Sequence, residues 1–523
     1  PLVESSYTLR EQRYWDVGLK LTHQQDLHEL RAGLNFRQWT VRNYRAGPGG
    51  LASIVQNDET YADSIAQEMP SVATNLRRGS WGGFGYDEFG NQVDSGPDGP
   101  KQPVKAAAFI NDELEYNDII VNAGLRLDYF DMDLWEVDDP RNPGFNRNTW
   151  QVDADAFSDA PAKTSLQPRL GFSFPVTEQT AFHLQYGKFA QMPDMTSLYR
   201  RRSYMATTLA GQFFIDQPFA WDLDPIESTQ YEIGMQHQFT DFAAFDLTAF
   251  YRRTQGQIEI IRQETASNAD AAPYNLFTNG DFSIARGLEL SVRTRRIGNF
   301  RGFVNYTLTD AKGTNSDPAG QVAALEQGTA PPSMVQPLMF EERHRGSFML
   351  DFSTGPEQPA WAQNWTANVL LTFHSGHRFT NSTGSIGQRG ADEGPLLTDD
   401  DPRSREPTEP LNSSTTPWFF KTDLRVEKGF SIGPARATAF MYVENLLDRR
   451  NIVNVYLRTG DATSDGFFTN PTLSEQIIAQ QGQEYVDYYQ SINLDNRQHY
   501  INDWGRDLFA TPRQVRVGLR LDF

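Results

Sequence analysis

The segment 514–523, which ends the chain, alternates strictly between two kinds of residue, and this pattern constrains the fold more than any other feature. Val515, Val517, Leu519, Leu521 and Phe523 are apolar, and polar residues or glycine stand between them. A period of two belongs to a strand with one apolar and one polar face, whereas a helix repeats about every 3.6 residues. The segment therefore predicts a β-strand with one face against an apolar environment.

The same alternation recurs along the chain and predicts about fifteen strands, many longer than the roughly 5 to 6 residues usual in soluble sheets. A strand that crosses a bilayer needs about 9 to 11 residues, so these lengths suit membrane strands. Two further clear segments are 119–129 and 435–443. The others are 13–24, 28–45, 103–117, 165–176, 180–191, 228–240, 242–258, 282–297, 300–313, 343–355, 364–380 and 419–433.

The connections between these segments alternate between short and long. The short ones are 25–27, 117–118, 177–179, 241, 298–299, 356–363 and 433–434. The long ones are 46–102, 134–164, 192–227, 259–281, 314–342, 381–418 and 452–512. Tight periplasmic turns and long extracellular loops are typical of an outer-membrane barrel, whereas Greek-key crossovers would scatter long connections over both ends. The pattern predicts an all-β, transmembrane, antiparallel up-and-down β-barrel of the outer-membrane type.

Composition excludes several other classes. Only 38% of the 523 residues are hydrophobic, and no stretch approaches the 18 or so consecutive apolar residues of a membrane helix. Cysteine is absent, which excludes disulfides, zinc–thiolate clusters and thiol catalysis. A net charge of -20 argues against a nucleic-acid partner, because phosphates are bound by Lys and Arg.

The strand count and the order of the connections predict that residues 1–523 are a portion of a larger barrel. A short connection follows the first strand, so that strand starts on the long-loop side, whereas the last strand ends on the short-turn side. A closed antiparallel barrel in one bacterial chain needs an even number of strands. We expect at least one strand upstream; a strand hidden within 46–102 or 452–512 is the alternative.

Several motifs between residues 100 and 523 resemble TonB-dependent receptors that carry a carboxypeptidase-regulatory-like N-terminal domain, the Oar-like group. Each motif is short, and their order and spacing together carry the resemblance. The motifs are 103–115, 120–130, 167–172, 186–193, 230–234, 286–290, 343–345, 443–451 and 511–519.

This resemblance implies a 22-stranded barrel in the bacterial outer membrane, filled by an N-terminal plug that contacts the TonB energy-coupling complex. Compared with such a barrel, this chain holds about 15 of the 22 strands, and the plug and the early strands lie outside this chain. The implied partners are outer-membrane lipid, the TonB complex through the plug, and a surface lipoprotein or another protein.

The leading functional hypothesis is TonB-dependent uptake of a nutrient such as a siderophore, a glycan or a peptide. The alternative is an outer-membrane adhesion or assembly protein whose loops bind other proteins without solute transport. A passive porin and a soluble glycan-active enzyme are further alternatives. No Ser-His-Asp arrangement and no His-x-x-x-His pair stands out, so we predict no catalytic residues, no cofactor and no enzymatic activity.

Three groups of residues are candidate functional features. The resemblance implies that Phe523 is the signal for barrel assembly. Glycines inside predicted strands leave space for a plug or allow the strand to bend. Acidic loop residues are weak candidates for calcium ligands, although such residues are usually only solvated. The glycines are Gly124, Gly171, Gly187, Gly234, Gly287 and Gly518, and the acidic residues are Asp222, Asp224, Asp392, Glu393, Asp399, Asp400 and Asp401.

Aromatic residues cluster near the predicted strand ends. Examples are Tyr129 and Phe130, Phe250 and Tyr251, and the segment 418–420. Belts of such rings are expected where a barrel meets the lipid headgroups, although aromatic residues favour strands in general.

Overall fold

The computed structural model describes residues 7–46, 83–87, 90–96, 99–149, 151–199, 202–211, 218–316, 334–385, 405–433, 435–464, 466, 468–469, 471–492 and 507–522. In this part of the chain, fifteen strands have nine or more residues, in agreement with the predicted number. They are β1 (Tyr7–Gln25), β2 (His28–Ala46), β3 (Val104–Tyr116), β4 (Ile119–Asp131), β5 (Lys163–Thr177), β6 (Thr180–Gln191), β7 (Ile226–Thr240), β8 (Ala243–Gln263), β9 (Tyr274–Thr294), β10 (Phe300–Gly313), β11 (His344–Ser353), β12 (Trp365–His374), β13 (Phe419–Ile432), β14 (Ala435–Glu444) and β15 (Gln514–Asp522).

The chain divides into two compact units. Unit 1 comprises Pro1–Gly171, Tyr186–Thr229 and Thr254–Phe282, and unit 2 comprises Phe172–Gln185, Gln230–Arg253 and Ser283–Phe523. Within unit 1, β1 to β4 pair antiparallel, each with the next in sequence. Within unit 2, the part of β9 from Ser283 onward and β10 to β15 do the same. The predicted all-β, antiparallel up-and-down sheet is confirmed.

Tight turns join the strands of each hairpin. Asp26 has φ 52° between β1 and β2, and Asn117 and Asp118 have φ 46° and 68° between β3 and β4. Two-residue hairpin turns need positive φ, which Asn and Asp tolerate better than other residues with a side chain. The polar residues of these predicted short connections therefore fit the backbone that the turns require.

The register of unit 2 gives the sheet one apolar and one polar face. Met441 is paired with Val517 and also with Val426 on the opposite neighbour, so the three side chains lie on the same face. Val517 is 75% exposed, which a water-soluble sheet would rarely allow for a whole row of such residues. We call this surface the apolar face of unit 2.

Aromatic rings lie at both ends of this apolar face. Phe373 and Phe420 stack at 6.1 Å at the end where β13 begins. At the other end, Lys428 Nζ lies 5.3 Å from the ring centroid of Trp365. Trp365 and Phe373 are eight positions apart on β12, which is about 26 Å along the strand. This length is comparable with the roughly 25 Å apolar band of an outer-membrane barrel.

Some strand boundaries differ from the prediction. The segment 364–380 was expected to be one strand, but β12 ends at His374, and Arg378–Phe379 forms a separate short strand paired with Ser414–Thr415. β9 begins at Tyr274 rather than at 282. Polar residues interrupt the alternation at its start, and Leu276 and Phe277 pair in parallel with the short strand Phe219–Ala220.

Parts of the predicted long connections are folded. The connection 134–164 contains short strands, Trp135–Val137 paired with Phe157–Asp159 and Phe145–Asn146 paired with Gln151–Val152. Helices lie in two others: α1 (Met195–Leu198) and α2 (Arg202–Leu209), and then α3 (Pro471–Gln481) and α4 (Gln483–Ile492). Among the described residues, no helix is long and apolar enough to cross a membrane.

Aromatic rings fill the space beside several strand glycines. A Cβ on Gly518 would lie 2.5 Å from Phe440 Cζ, and a Cβ on Gly346 would lie 2.5 Å from Phe373 Cζ. At Gly287, a Cβ would overlap the carbonyl oxygen of Leu308, which belongs to the backbone of the adjacent strand. These three glycines therefore allow close contact within the sheet.

We predict that Gly287→Ala destabilises the sheet by about 1–3 kcal/mol, because the overlapping atom is backbone and cannot rotate away. Gly302→Ala on β10 is the control, since its Cβ would meet Thr294 Oγ1 at an ordinary 3.7 Å. The measurement is the unfolding midpoint in detergent, followed by heat-modifiable migration on gels. Equal stability of the two variants would contradict this role of Gly287.

Candidate functional site

Three long connections of unit 1 fold together around one apolar core, which we call the unit 1 cap. Its centre is formed by Leu209, Phe219 and Tyr274, each 0–1% exposed. Phe219 and Tyr274 rings are 5.8 Å apart and Phe219 and Trp221 rings are 5.3 Å apart. The residues come from the connections 134–164, 192–227 and 259–281. The buried members are Val137, Phe145, Met205, Ala206, Leu209, Ala210, Phe219, Trp221, Ala271, Tyr274 and Leu276.

Hydrogen bonds cross-link the unit 1 cap. Tyr274 Oη donates to the Pro140 carbonyl at 2.8 Å, and the backbone N–H of Ala272 donates to the Leu209 carbonyl at 2.7 Å. Arg147 donates through its backbone N–H to the Asp270 carboxylate at 3.0 Å. Each of these bonds joins one connection to another, so the three connections hold one another in place.

A small recess of unit 1 lies beside Lys101, just before β3. Its lining is Lys101, Leu134, Trp135, Leu198, Tyr199, Met205, Phe219 and Ala220. Lys101 Nζ donates to the Asp133 carbonyl at 3.0 Å, lies 3.6 Å from the Asp133 carboxylate and is 4.1 Å from the Trp135 ring centroid. Among the described residues these are its polar partners, and an ammonium group has three N–H donors. One donor is therefore available to a group that enters the recess.

Burial affects the pKa of Lys101. Lys101 is only 7% exposed. Loss of hydration lowers the pKa of its ammonium group, and the negative charge of Asp133 opposes that decrease. An incoming anion would stabilise the charged form in the same way as Asp133 does, so the recess is suited to a negatively charged group.

The polar face of unit 1 holds a buried carboxylate. Asp128 is 1% exposed, and its carboxylate accepts from Arg126 Nε at 2.9 Å and from Gln167 Nε2. Lys105 Nζ lies 3.9 Å away. A buried charge is tolerated only when it is paired and hydrogen-bonded. The two cations and the amide supply these partners.

The polar face of unit 2 carries ion pairs along β13. Lys421 Nζ lies 3.0 Å from Asp423. Arg425 Nε donates to Glu427 at 2.8 Å. Each unit therefore presents a polar, charged wall on one side of its sheet, as the lumen-facing side of a barrel does.

A second folded group of connections lies in unit 2. Glu341, which is 2% exposed, pairs with Arg378 Nε at 2.5 Å and accepts from the backbone N–H of Ala311 at 3.2 Å. Burial lowers the pKa of His377, and electrostatic interaction with the nearby His374 adds to this effect. These contacts connect residues near the ends of β10 and β12.

The motif 443–451 builds a rigid turn after β14. Asn445 has φ 52° and exchanges two 3.0 Å hydrogen bonds with the backbone of Arg449, donating from Nδ2 and accepting at Oδ1. Its own N–H donates to Asp423 at 2.9 Å. The Asn451 side chain exchanges hydrogen bonds with the backbone of Phe420 at 2.8 and 3.0 Å. The motif that carried part of the family resemblance thus fixes the chain to β13.

The predicted site residues have different outcomes. Phe523, Asp392, Glu393, Asp399, Asp400 and Asp401 lie outside the described residues, so their roles remain predictions; β15 is described up to Asp522. Lys163 Nζ lies 2.7 Å from Asp222 and 3.3 Å from Asp224, so a protein cation occupies this acidic pair. Among the described residues, no group of three or more His, Asp or Glu side chains is arranged to hold a metal ion.

Comparison with known proteins identifies the family. Residues 3–446 match the β-barrel described as TonB dependent receptor-like, and the chain belongs to this family. No curated protein matches the sequence. The Oar-like group within the family remains a proposal.

Solved structures with TM-scores of 0.51 share the fold. A chain of the FpvAI–pyocin S2 complex is 12% identical with a TM-score of 0.51, covering 99% of this chain and 48% of that one. FpvA of P. aeruginosa bound to heterologous pyoverdines is 12% identical with a TM-score of 0.51, covering 99% and 49%. The ferric-catecholate import receptor Fiu from E. coli K12 is 13% identical with a TM-score of 0.46, covering 87% and 53%. The chain thus spans about half the length of these solved chains.

We predict that Asp128→Asn lowers the free energy of unfolding by about 3 kcal/mol, because Arg126 and Lys105 would lose a buried carboxylate. Asp16→Asn is the matched control on the same face of unit 1. Asp16 pairs with Arg37 Nε at 2.5 Å and its side chain is 30% exposed, so solvent replaces much of the lost contact. Denaturant titration of both variants in detergent checks the prediction, and a larger loss at Asp16 would refute it.

Proposed function

We propose that this chain forms the membrane wall and the surface cap of an outer-membrane receptor that imports a nutrient with energy from the TonB complex. The observation that carries the proposal is the two-faced sheet of a chain that belongs to the TonB-dependent receptor-like β-barrel family. The apolar face meets lipid, and the polar walls line the path of the solute. The bacterial outer membrane is the location that this arrangement requires.

The long connections are proposed to lie outside the cell, where they capture the nutrient. The Lys101 recess supports this role, because it combines a cation with aromatic walls and shares Met205 and Phe219 with the unit 1 cap. Binding pockets commonly combine apolar walls with a few polar groups that orient the ligand. The recess is too small for a whole siderophore, glycan or peptide, so it would take only a negative group of such a ligand.

Energy coupling is proposed to act through a plug encoded in the same gene. We infer membership of the Oar-like group from the motifs 120–130 and 443–451, and this predicts a carboxypeptidase-regulatory-like domain and a TonB box upstream. The sequence of the encoding gene tests whether this domain and the TonB box are present. A gene that encodes neither would favour the adhesion or assembly function, in which surface lipoproteins or other proteins bind the loops without transport.

Uptake is tested with the full-length protein in a strain that lacks its own copy. Radiolabelled ferric siderophores, acidic oligosaccharides and peptides are offered to cells, with and without a protonophore that collapses the proton gradient. Accumulation that needs both the protein and the gradient supports the proposal. A stable open conductance of the purified protein in planar bilayers would instead indicate a porin.

We predict that Lys101→Met reduces the initial uptake rate of the accepted anionic substrate by about tenfold, because a charge-assisted hydrogen bond is lost. Methionine keeps most of the side-chain volume. Lys312→Met is the control, since Lys312 is paired with Asp310 at 3.4 Å near the end of β10, away from the recess residues in sequence. Surface protein is quantified in parallel, and an unchanged rate for Lys101→Met would exclude the recess as the binding site.

Phe523 is proposed to be the signal that the barrel-assembly machinery reads. Phe523→Ser should lower the amount of folded protein in the outer membrane, whereas Val515→Ser, on the same strand and also apolar, should lower it less. Heat-modifiable migration of membrane fractions measures the folded amount. Equal losses in the two variants would indicate a general requirement for apolar residues instead of a terminal signal.

A further inference from the structure

Five rings form a continuous row across the apolar face of unit 2, near the ends of its strands that lead into long connections. His344 stacks on Tyr306 at 6.2 Å and on Trp418 at 5.4 Å, and Tyr306 Oη lies 2.7 Å from His344 Nδ1. Phe420 stacks on Trp418 at 5.9 Å and on Phe373 at 6.1 Å. The row crosses β10 to β13 at one level, where rings of a membrane strand meet lipid headgroups.

An arginine lies over the end of this row. The Arg449 guanidinium carbon is 4.8 Å from the centroid of Phe420. Among the described residues, no carboxylate lies within ion-pair distance of Arg449, and its neighbour Asp448 is engaged by Arg513 at 3.4 Å. A guanidinium group has five N–H donors in a planar fork that matches a phosphate. Arg449 therefore has donors available for an anion at the edge of the apolar face.

The turn around Arg449 is held rigidly. The two hydrogen bonds between the Asn445 side chain and the Arg449 backbone fix the start of the arginine side chain. Leu447, which is 72% exposed, lies in the same turn. Arg450 follows directly and packs over Phe509, with its guanidinium carbon 3.8 Å from the ring centroid. The turn thus presents an exposed apolar side chain next to the Arg449 guanidinium group.

We propose that Arg449 binds the phosphate of a membrane lipid headgroup whose acyl chains lie along the apolar face of unit 2. The proposal rests on the membrane-spanning orientation proposed above, in which this end of the strands meets the outer leaflet. Continuity between the cation, the ring row and the apolar face favours a lipid over a phosphate ion in solution. One arginine near a membrane surface increases the affinity for an anionic lipid about fivefold.

Binding is measured on the full-length protein in uncharged detergent micelles, titrated with lipid A that carries two phosphates and with the same lipid after enzymatic dephosphorylation. Native mass spectrometry counts bound lipid. We expect Arg449→Gln to weaken binding of the phosphorylated lipid about fivefold. Arg449→Lys keeps the charge and should restore most of the affinity. Arg425→Gln is the control, because Arg425 is exposed on the opposite face of β13.

Three results would overturn the proposal: equal affinity for the phosphorylated and the dephosphorylated lipid, an equal loss in Arg425→Gln, or displacement of the lipid by millimolar inorganic phosphate. The third result would identify a site for free phosphate. Failure of the proposed uptake function is distinguishable, because it is read from substrate accumulation in cells. A protein that does not reside in the membrane would be released without detergent.

Discussion

Backbone hydrogen bonds between neighbouring strands are the interaction on which the rest of this structure depends, because hydrocarbon offers an exposed N–H or C=O no other partner. They fix the register, and the register fixes which side chains face lipid. A slip of one residue between β14 and β15 would bring Arg516 to the face that Val517 occupies. A cation at the middle of a bilayer costs about 2–4 kcal/mol in a barrel wall, so the alternating sequence strongly selects this pairing.

Different interactions stabilise the sheets and the folded connections. Within each sheet, cross-strand contacts dominate, including the rings that lie against Gly346 and Gly518. In the unit 1 cap, buried apolar side chains such as Leu209 and Tyr274 pack as in the core of a small soluble domain. The chain thus uses two kinds of apolar surface, one turned outward to lipid and one turned inward to a core. The sequence of each strand or connection shows which kind it contributes.

Most of the sheet could be predicted from the sequence, because a period of two is a local signal that needs no knowledge of partners. β2, for example, was expected over 28–45 and is found over His28–Ala46. The unit 1 cap could not be predicted in this way. Phe219 and Tyr274 are far apart in sequence, and nothing in the residues around either shows that they meet. The same applies to Lys101, whose environment is supplied by Trp135 and Tyr199 from two later segments. Asp222 and Asp224 were weak candidates for calcium ligands. The cation that lies beside them is the ammonium group of Lys163.

The shared core of the unit 1 cap also limits how its connections can change. Tyr274 contacts the ring of Phe219 and donates to the carbonyl of Pro140, so a displacement of any one connection would expose apolar surface on the other two. Opening is therefore cooperative, with all three connections moving together or none. The cap therefore moves as one rigid body. Substitutions at its surface are tolerated only where they leave the shared apolar core intact.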